Sequence, residues 1–166
     1  MNELYQTKQV AFGLNNENHI LTIAQNVFSK DIKKSLYKFS KYDFFCNTTK
    51  FIFELKSRRI THDQYPIAII NKCKFVYPNM ILIFSYLDGL FYINYDEELF
   101  LLFETKLQHI NNYSQTQEVI HIPSKYLTKF SVECKIELTA KYDTTNFNKL
   151  VQQDQLLQQQ LEYINN

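Results

Sequence analysis

Asp43, Glu54 and Lys56 are the residues of this chain whose types and spacing suit a chemical role. They sit in Tyr42-Asp43-Phe44-Phe45-Cys46-Asn47-Thr48-Thr49-Lys50-Phe51-Ile52-Phe53-Glu54-Leu55-Lys56, two aromatic-rich runs either side of a polar turn. The aromatic and β-branched content of both runs reads as strand, with Cys46 to Lys50 supplying the turn. Alternation along the second strand puts Ile52, Glu54, Lys56 and Arg58 on one face and Phe51, Phe53 and Leu55 on the other. An even-length loop centred on Thr48-Thr49 sets Asp43 directly opposite Glu54. Two carboxylates opposed across a sheet repel and destabilise it unless a cation lies between them. Two carboxylates beside an ammonium are also the groups that metal-dependent phosphodiester hydrolysis needs. Water is a poor nucleophile at neutral pH and the transition state gathers negative charge, so a cation held by carboxylates both acidifies water and stabilises that charge. Mg²⁺, with Mn²⁺ as a substitute, prefers hard oxygen ligands and keeps several waters, which two carboxylates suit.

The elements that must position these groups read as an α/β unit. Asn15 to Phe28 spaces Ile20, Ile23, Ala24 and Val27 as a helix, with Asn15 or Asn16 as N-cap and Glu17 in the first turn. An acid there is also simply favourable with the helix dipole. Strands are expected over Leu36 to Cys46 and Lys50 to Arg58. Tyr65 to Lys74 fits a helix opened by Pro66 or another strand, and helix is the reading taken. Met80 to Tyr86 is a buried strand, Leu87-Asp88-Gly89-Leu90 a hairpin turn, and Phe91 to Tyr95 the returning strand. Val119 to Ile122 and Val132 to Leu138 read as later strands. Residues 1–145 form one domain; residues 146–166 carry a Gln-rich amphipathic helix with Leu150, Val151, Leu157, Leu161 and Ile164 near one face, packed on the core or against a partner.

An Asp in one strand, then Glu-x-Lys in the next with basic residues after it, resembles the PD-(D/E)xK nuclease superfamily, which includes restriction endonucleases, phage exonucleases and Holliday-junction resolvases. Gly13-x-x-x-Glu17 is similar, more weakly, to the acidic position in the first helix of several branches. No Pro precedes Asp43, a departure from the namesake motif. The resemblance implies a restriction-endonuclease-like fold, a mixed β-sheet core flanked by helices. It implies that Asp43 and Glu54 bind Mg²⁺ with the main-chain carbonyl of Leu55, that Lys56 orients the attacking water, and that Glu17 holds or positions a second ion. It also makes Gln64 or Lys72, after the Glu-x-Lys strand, accessory residues, and in the resolvase branch it favours a homodimer.

Glu-x-Lys alone carries little, because Glu104-Thr105-Lys106 and Glu133-Cys134-Lys135 repeat it. The copy at Glu54 differs in having an acid at hairpin distance upstream and Ser57-Arg58-Arg59 downstream. Arg58 and Arg59 extend the basic run but alternate around the strand, so one of them faces the site; Arg58 shares parity with Lys56 and is expected to touch phosphate. His62 is a proton shuttle or an ordinary loop histidine.

The net charge of +1 conceals an asymmetry. Residues 1–75 hold 12 Lys or Arg against 6 Asp or Glu, and residues 76–166 hold 6 against 11. The basic half contains the proposed site, and Lys72 and Lys74 extend it, so a polyanion, DNA before RNA, is the expected partner. Cys46, Cys73 and Cys134 make no C-x-x-C and leave an odd count, which argues against zinc or a disulfide framework. The first residues lack a signal-peptide core and no apolar run spans a bilayer, so a soluble intracellular protein is expected. The leading expectation is a Mg²⁺-dependent DNA nuclease. A catalytically inactive nuclease fold that binds nucleic acid or protein stands beside it, and so does an interaction protein built on the Gln-rich tail.

Overall fold

The computed structural model describes residues 16–109 and 115–165. They form a mixed α/β structure whose elements in chain order are α1 (residues 16–27), β1 (Ile32–Lys34), β2 (Phe44–Cys46), β3 (Phe51–Ser57), β4 (Ile67–Asn71), β5 (Met80–Tyr86), β6 (Gly89–Asn94), α2 (Glu97–Phe100), β7 (Glu104–His109), β8 (Thr116–Pro123), β9 (Thr128–Phe130) and α3 (Phe147–Asn165). Short 3₁₀ turns cover Lys72–Lys74 and Ser124–Tyr126. Gly13 and Asn15 lie outside the described residues.

Six strands make one sheet in the order β1-β2-β3-β5-β6-β9, and β4, β8 and β7 make a second. Neighbours in the large sheet run antiparallel except β3 and β5, which are parallel. A parallel pair needs a crossover, and residues 58–79 supply it, carrying β4 into the small sheet on the way. The alternation of β3 then divides the interior. Ile52 joins Leu82, Phe84, Ala68, Ile70 and Ile122 in a core between the two sheets, closed by Phe147 and Val151 of α3. Phe51, Phe53 and Leu55 join Ile81, Ile83 and the Ile20, Ile23, Ala24 and Val27 stripe of α1 on the opposite face.

Several local expectations fail for identifiable reasons. The strand expected over Leu36 to Cys46 is instead β1 and β2, joined by residues 35–43 without regular structure; Leu36 and Phe39 point outward, so apolar content there did not mean burial. The helix expected over Tyr65 to Lys74 is β4 followed by a 3₁₀ turn. Ala68 and Ile70 are buried while Ile67 and Ile69 are half-buried, a period of two realised by antiparallel pairing with β8. The strand expected over Val132 to Leu138 is irregular: Cys134, Ile136 and Leu138 do alternate onto the α1-side core, but the Ile136 N–H donates to the Val27 carbonyl at the end of α1. At the β5–β6 hairpin the closing pair is Tyr86 and Gly89, and Gly89 takes a positive φ of 144°.

Candidate metal and phosphate site

Phe44 pairs with Phe53, so the β2–β3 register continued by one residue brings Asp43 to Glu54. The backbone departs from the ladder at that point. In a regular strand the N–H and C=O of one residue face the same neighbour, but the Asp43 C=O accepts from Ser35 N–H while its N–H donates to the Phe53 carbonyl, each at 2.8 Å. Asp43 therefore does not stand in simple opposition to Glu54, as the loop length implied. Its main chain is twisted, as at a bulge, and its Oδ2 accepts the Leu55 N–H at 2.6 Å.

Burial pushes the Asp43 carboxyl up to about 7, with the Glu54 charge adding to the rise and Glu17 contributing in the same direction. The Leu55 N–H and the Lys74 ammonium pull the other way without offsetting it. Burial of the carboxyl is thus the main cause and the neighbouring Glu54 carboxylate the second.

Glu54 is 1% exposed and faces the inter-sheet core side of β3. A buried carboxylate needs partners, and two ammoniums supply them. Lys56 Nζ lies 2.7 Å from Oε1, and Lys74 Nζ lies 2.9 Å from Oε1 and 3.0 Å from Oε2. Lys74 enters from the 3₁₀ turn after β4, so the crossover that joins the parallel strands also delivers the second cation. Glu17, at the start of α1, pairs with Lys34 of β1 at 2.7 Å, and Asn16 bonds the Ser57 hydroxyl at the end of β3. The first turn of α1 is thereby fastened near the same ends of β1 and β3.

The structure thus brings Asp43, Glu54 and Lys56 together, with Glu17 close enough to act on Asp43. It adds Lys74, which the sequence marked only as one of several basic residues; twenty positions separate it from Glu54 and no local pattern links them. Arg58 and Arg59 are exposed beyond the end of β3, Lys72 pairs with exposed Glu118 at 3.3 Å, and Gln64 lies in an exposed turn with its N–H on the Thr61 carbonyl. His62 is fixed elsewhere: its N–H and Nδ1 meet the two Asp88 oxygens at 2.8 and 2.5 Å, and its ring stacks on Phe91 at 4.3 Å. Desolvation is the largest single influence on the Asp88 carboxyl and raises it, but the His62 bonds and charge together hold it below the ordinary carboxylate value. Among the described residues, His62, Asp63 and Asp88 have ligand atoms all within 4.8 Å of one another, a partly exposed cluster distinct from the Asp43–Glu54 pair.

The two other Glu-x-Lys triplets have different surroundings. Glu104 and Lys106 lie on the exposed strand β7 and pair with each other at 3.1 Å; the Lys135 ammonium is held by the Asn26 carbonyl. Among the described residues, neither has a buried carboxylate beside it. Among the described residues no helix is long and apolar enough to cross a membrane. Set against protein-family models, curated proteins and solved structures, the chain finds no match in any of the three.

Proposed function

We propose that this chain is a Mg²⁺-dependent nuclease of restriction-endonuclease-like fold, acting on DNA, with Asp43 and Glu54 as the cation-binding pair. The observation that carries this reading is buried Glu54, held by Lys56 and Lys74, beside half-buried Asp43, whose pKa burial and the Glu54 charge raise. Carboxylate oxygens are the hard ligands that Mg²⁺ and Mn²⁺ take, and a divalent cation between Asp43 and Glu54 would offset the Glu54 charge that adds to the burial-driven rise of the Asp43 pKa. When bound, the cation would acidify water and stabilise charge on the phosphate. The protein's own part is to hold Asp43 by the Leu55 N–H, to bury Glu54, and to place the Lys56 ammonium where it orients water and neutralises developing charge. Glu17 lies to one side as a positioning acid. Arg58, continuing the Glu54–Lys56 face, is suited to phosphate.

The fold supports this reading in outline. Asp43 immediately precedes β2, and Glu54 and Lys56 lie on β3, its antiparallel neighbour in a mixed sheet with a helix over one face. The crossover between β3 and β5 differs, because it carries a strand and a 3₁₀ turn.

A second reading has its own observation: Lys56 and Lys74 already satisfy Glu54, as they would in an inactive nuclease fold retained for nucleic-acid binding. Incubation of the purified chain with linear, closed-circular, single-stranded and branched DNA, in Mg²⁺, Mn²⁺ or EDTA, separates the two. Cleavage dependent on the cation supports the nuclease. Binding whose log K falls by about 0.9 per phosphate against log salt, without cleavage, supports the inactive module. Neither binding nor cleavage overturns both.

A further inference from the structure

Beyond the last turn of the site, β3 leads into a cleft of about 360 Å³ that neither the carboxylates nor the lysines explain. Its walls include Arg58, Tyr65, Ala68, Ile69, Phe84 and Tyr86. Its size is at the lower end of the roughly 300–1,000 Å³ of small-molecule sites. It opens between the two sheets: Phe84 and Tyr86 come from β5 of the large sheet, Ala68 and Ile69 from β4 of the small one, and Tyr65 from the loop before β4.

The cleft adjoins the candidate site directly. Lys56 is the register partner of Phe84 on the parallel strand β5, and the Arg58 N–H donates to the Ser85 carbonyl at 2.8 Å. Neighbouring residues in register share a face of the sheet, so the Lys56 ammonium and the Phe84 ring stand side by side, one in the charged cluster and the other in the cleft. Glu54, Lys56 and Arg58 follow one another on that face at intervals of about 7 Å, two residues of strand rise each. The Phe84 and Tyr86 rings stack at 6.2 Å and 13°; Phe84, 1% exposed, closes the bottom of the cleft, and half-buried Tyr86 is the one of the two that reaches its surface. Tyr65, 55% exposed, stands at its mouth.

We propose that this cleft takes a nucleobase of the strand whose phosphate lies at Lys56, the base entering between Tyr65 and Tyr86 while Arg58 contacts the adjoining phosphate. The inference rests on the nucleic-acid reading of the Asp43–Glu54 site. A planar, uncharged heterocycle carried on an anionic backbone matches a mostly apolar aromatic slot rimmed by a guanidinium. Aromatic stacking of this kind accepts any base, because every base has a π face. The site would therefore act on bases that leave the duplex stack: single strands, ends or distorted junctions.

The test is fluorescence anisotropy of the full chain in EDTA and low salt. The probes are a labelled oligothymidylate of about ten nucleotides and an abasic tetrahydrofuran-phosphate oligomer of the same length. Oligothymidylate should bind at least about fivefold more tightly, the lower end of what one stacked base contributes. Tyr65→Ala should lower its affinity to that of the abasic oligomer, leave the abasic affinity unchanged, and be rescued by Tyr65→Phe. Equal affinity of wild type for the two oligomers overturns the cleft proposal, as does an equal loss for both in Tyr65→Ala. If DNA cleavage persists alongside equal affinities, only the cleft proposal falls. If neither oligomer binds and no DNA is cleaved, the nucleic-acid reading falls with it.

Discussion

The Lys74 ammonium lies against both carboxylate oxygens of Glu54, at 2.9 and 3.0 Å, although the two residues belong to different sheets' approaches and are separated by the whole β3–β4 connection. Glu54 is almost fully buried, so removing Lys74 leaves a carboxylate with Lys56 alone. Lys74→Met should cost about 2 kcal/mol, seen as a fall of roughly 4–8 °C in melting temperature. Millimolar Mg²⁺ should shrink that deficit, since a cation on Glu54 replaces the missing charge and binding to the folded state stabilises it. A deficit identical with and without Mg²⁺ would remove Glu54 from the cation site.

Asp43 makes stability depend on pH with a definite sign. Its folded pKa, about 7, lies above the unfolded value near 3.9, so the folded chain holds the extra proton between them. The associated stability is present in full below about pH 4 and is lost as pH rises to about 7. Asp43→Asn should flatten this dependence and raise cation-free stability at pH 8, by up to roughly 4 kcal/mol at 1.36 kcal/mol per pKa unit. Urea melts at pH 4.5, 6 and 8 check it; a wild type as stable at pH 8 as at pH 4.5 would mean that Asp43 ionises without cost.

The three Glu-x-Lys triplets make an internal control for catalysis. Glu54→Gln and Lys56→Ala should each reduce Mg²⁺-dependent cleavage about a hundredfold or more. Glu104→Gln, Lys106→Ala, Glu133→Gln and Lys135→Ala should leave it within about twofold, because those side chains lie on exposed segments away from Asp43. Dependence on the Glu104 pair instead would relocate the site to β7.

The C-terminal helix is anchored at its beginning. Phe147 is 0% exposed and meets Tyr77 edge-on at 5.7 Å, and Asp154 accepts the Ser35 and Ser40 hydroxyls. Phe147→Ala should cost about 3–5 kcal/mol, whereas Leu156→Ala and Ile164→Ala, both on exposed side chains, should change stability by no more than about 0.5 kcal/mol. Denaturant midpoints at a common slope decide between a docked helix and one held in reserve for a partner.

Much of this arrangement was legible in residue order because it depends on short-range pattern. The α1 stripe, the β2–β3 hairpin, the β5–β6 hairpin and α3 each follow from the period of their apolar residues and from their turn residues, and Glu54 and Lys56 share a face because alternate strand residues must. The Tyr65 to Lys74 segment was not legible: its apolar run suits helix or strand alike, and pairing with β8, some fifty residues later, decides for strand. Val132 to Leu138 failed in the opposite sense, since its alternation is real but its backbone bonds a helix end. Tertiary structure alone turns Asp43 out of its ladder and brings Lys74 to Glu54. It also opens a cleft between two sheets beside Lys56. Each of these depends on where distant segments meet once the two cores close, and no local periodicity encodes that meeting.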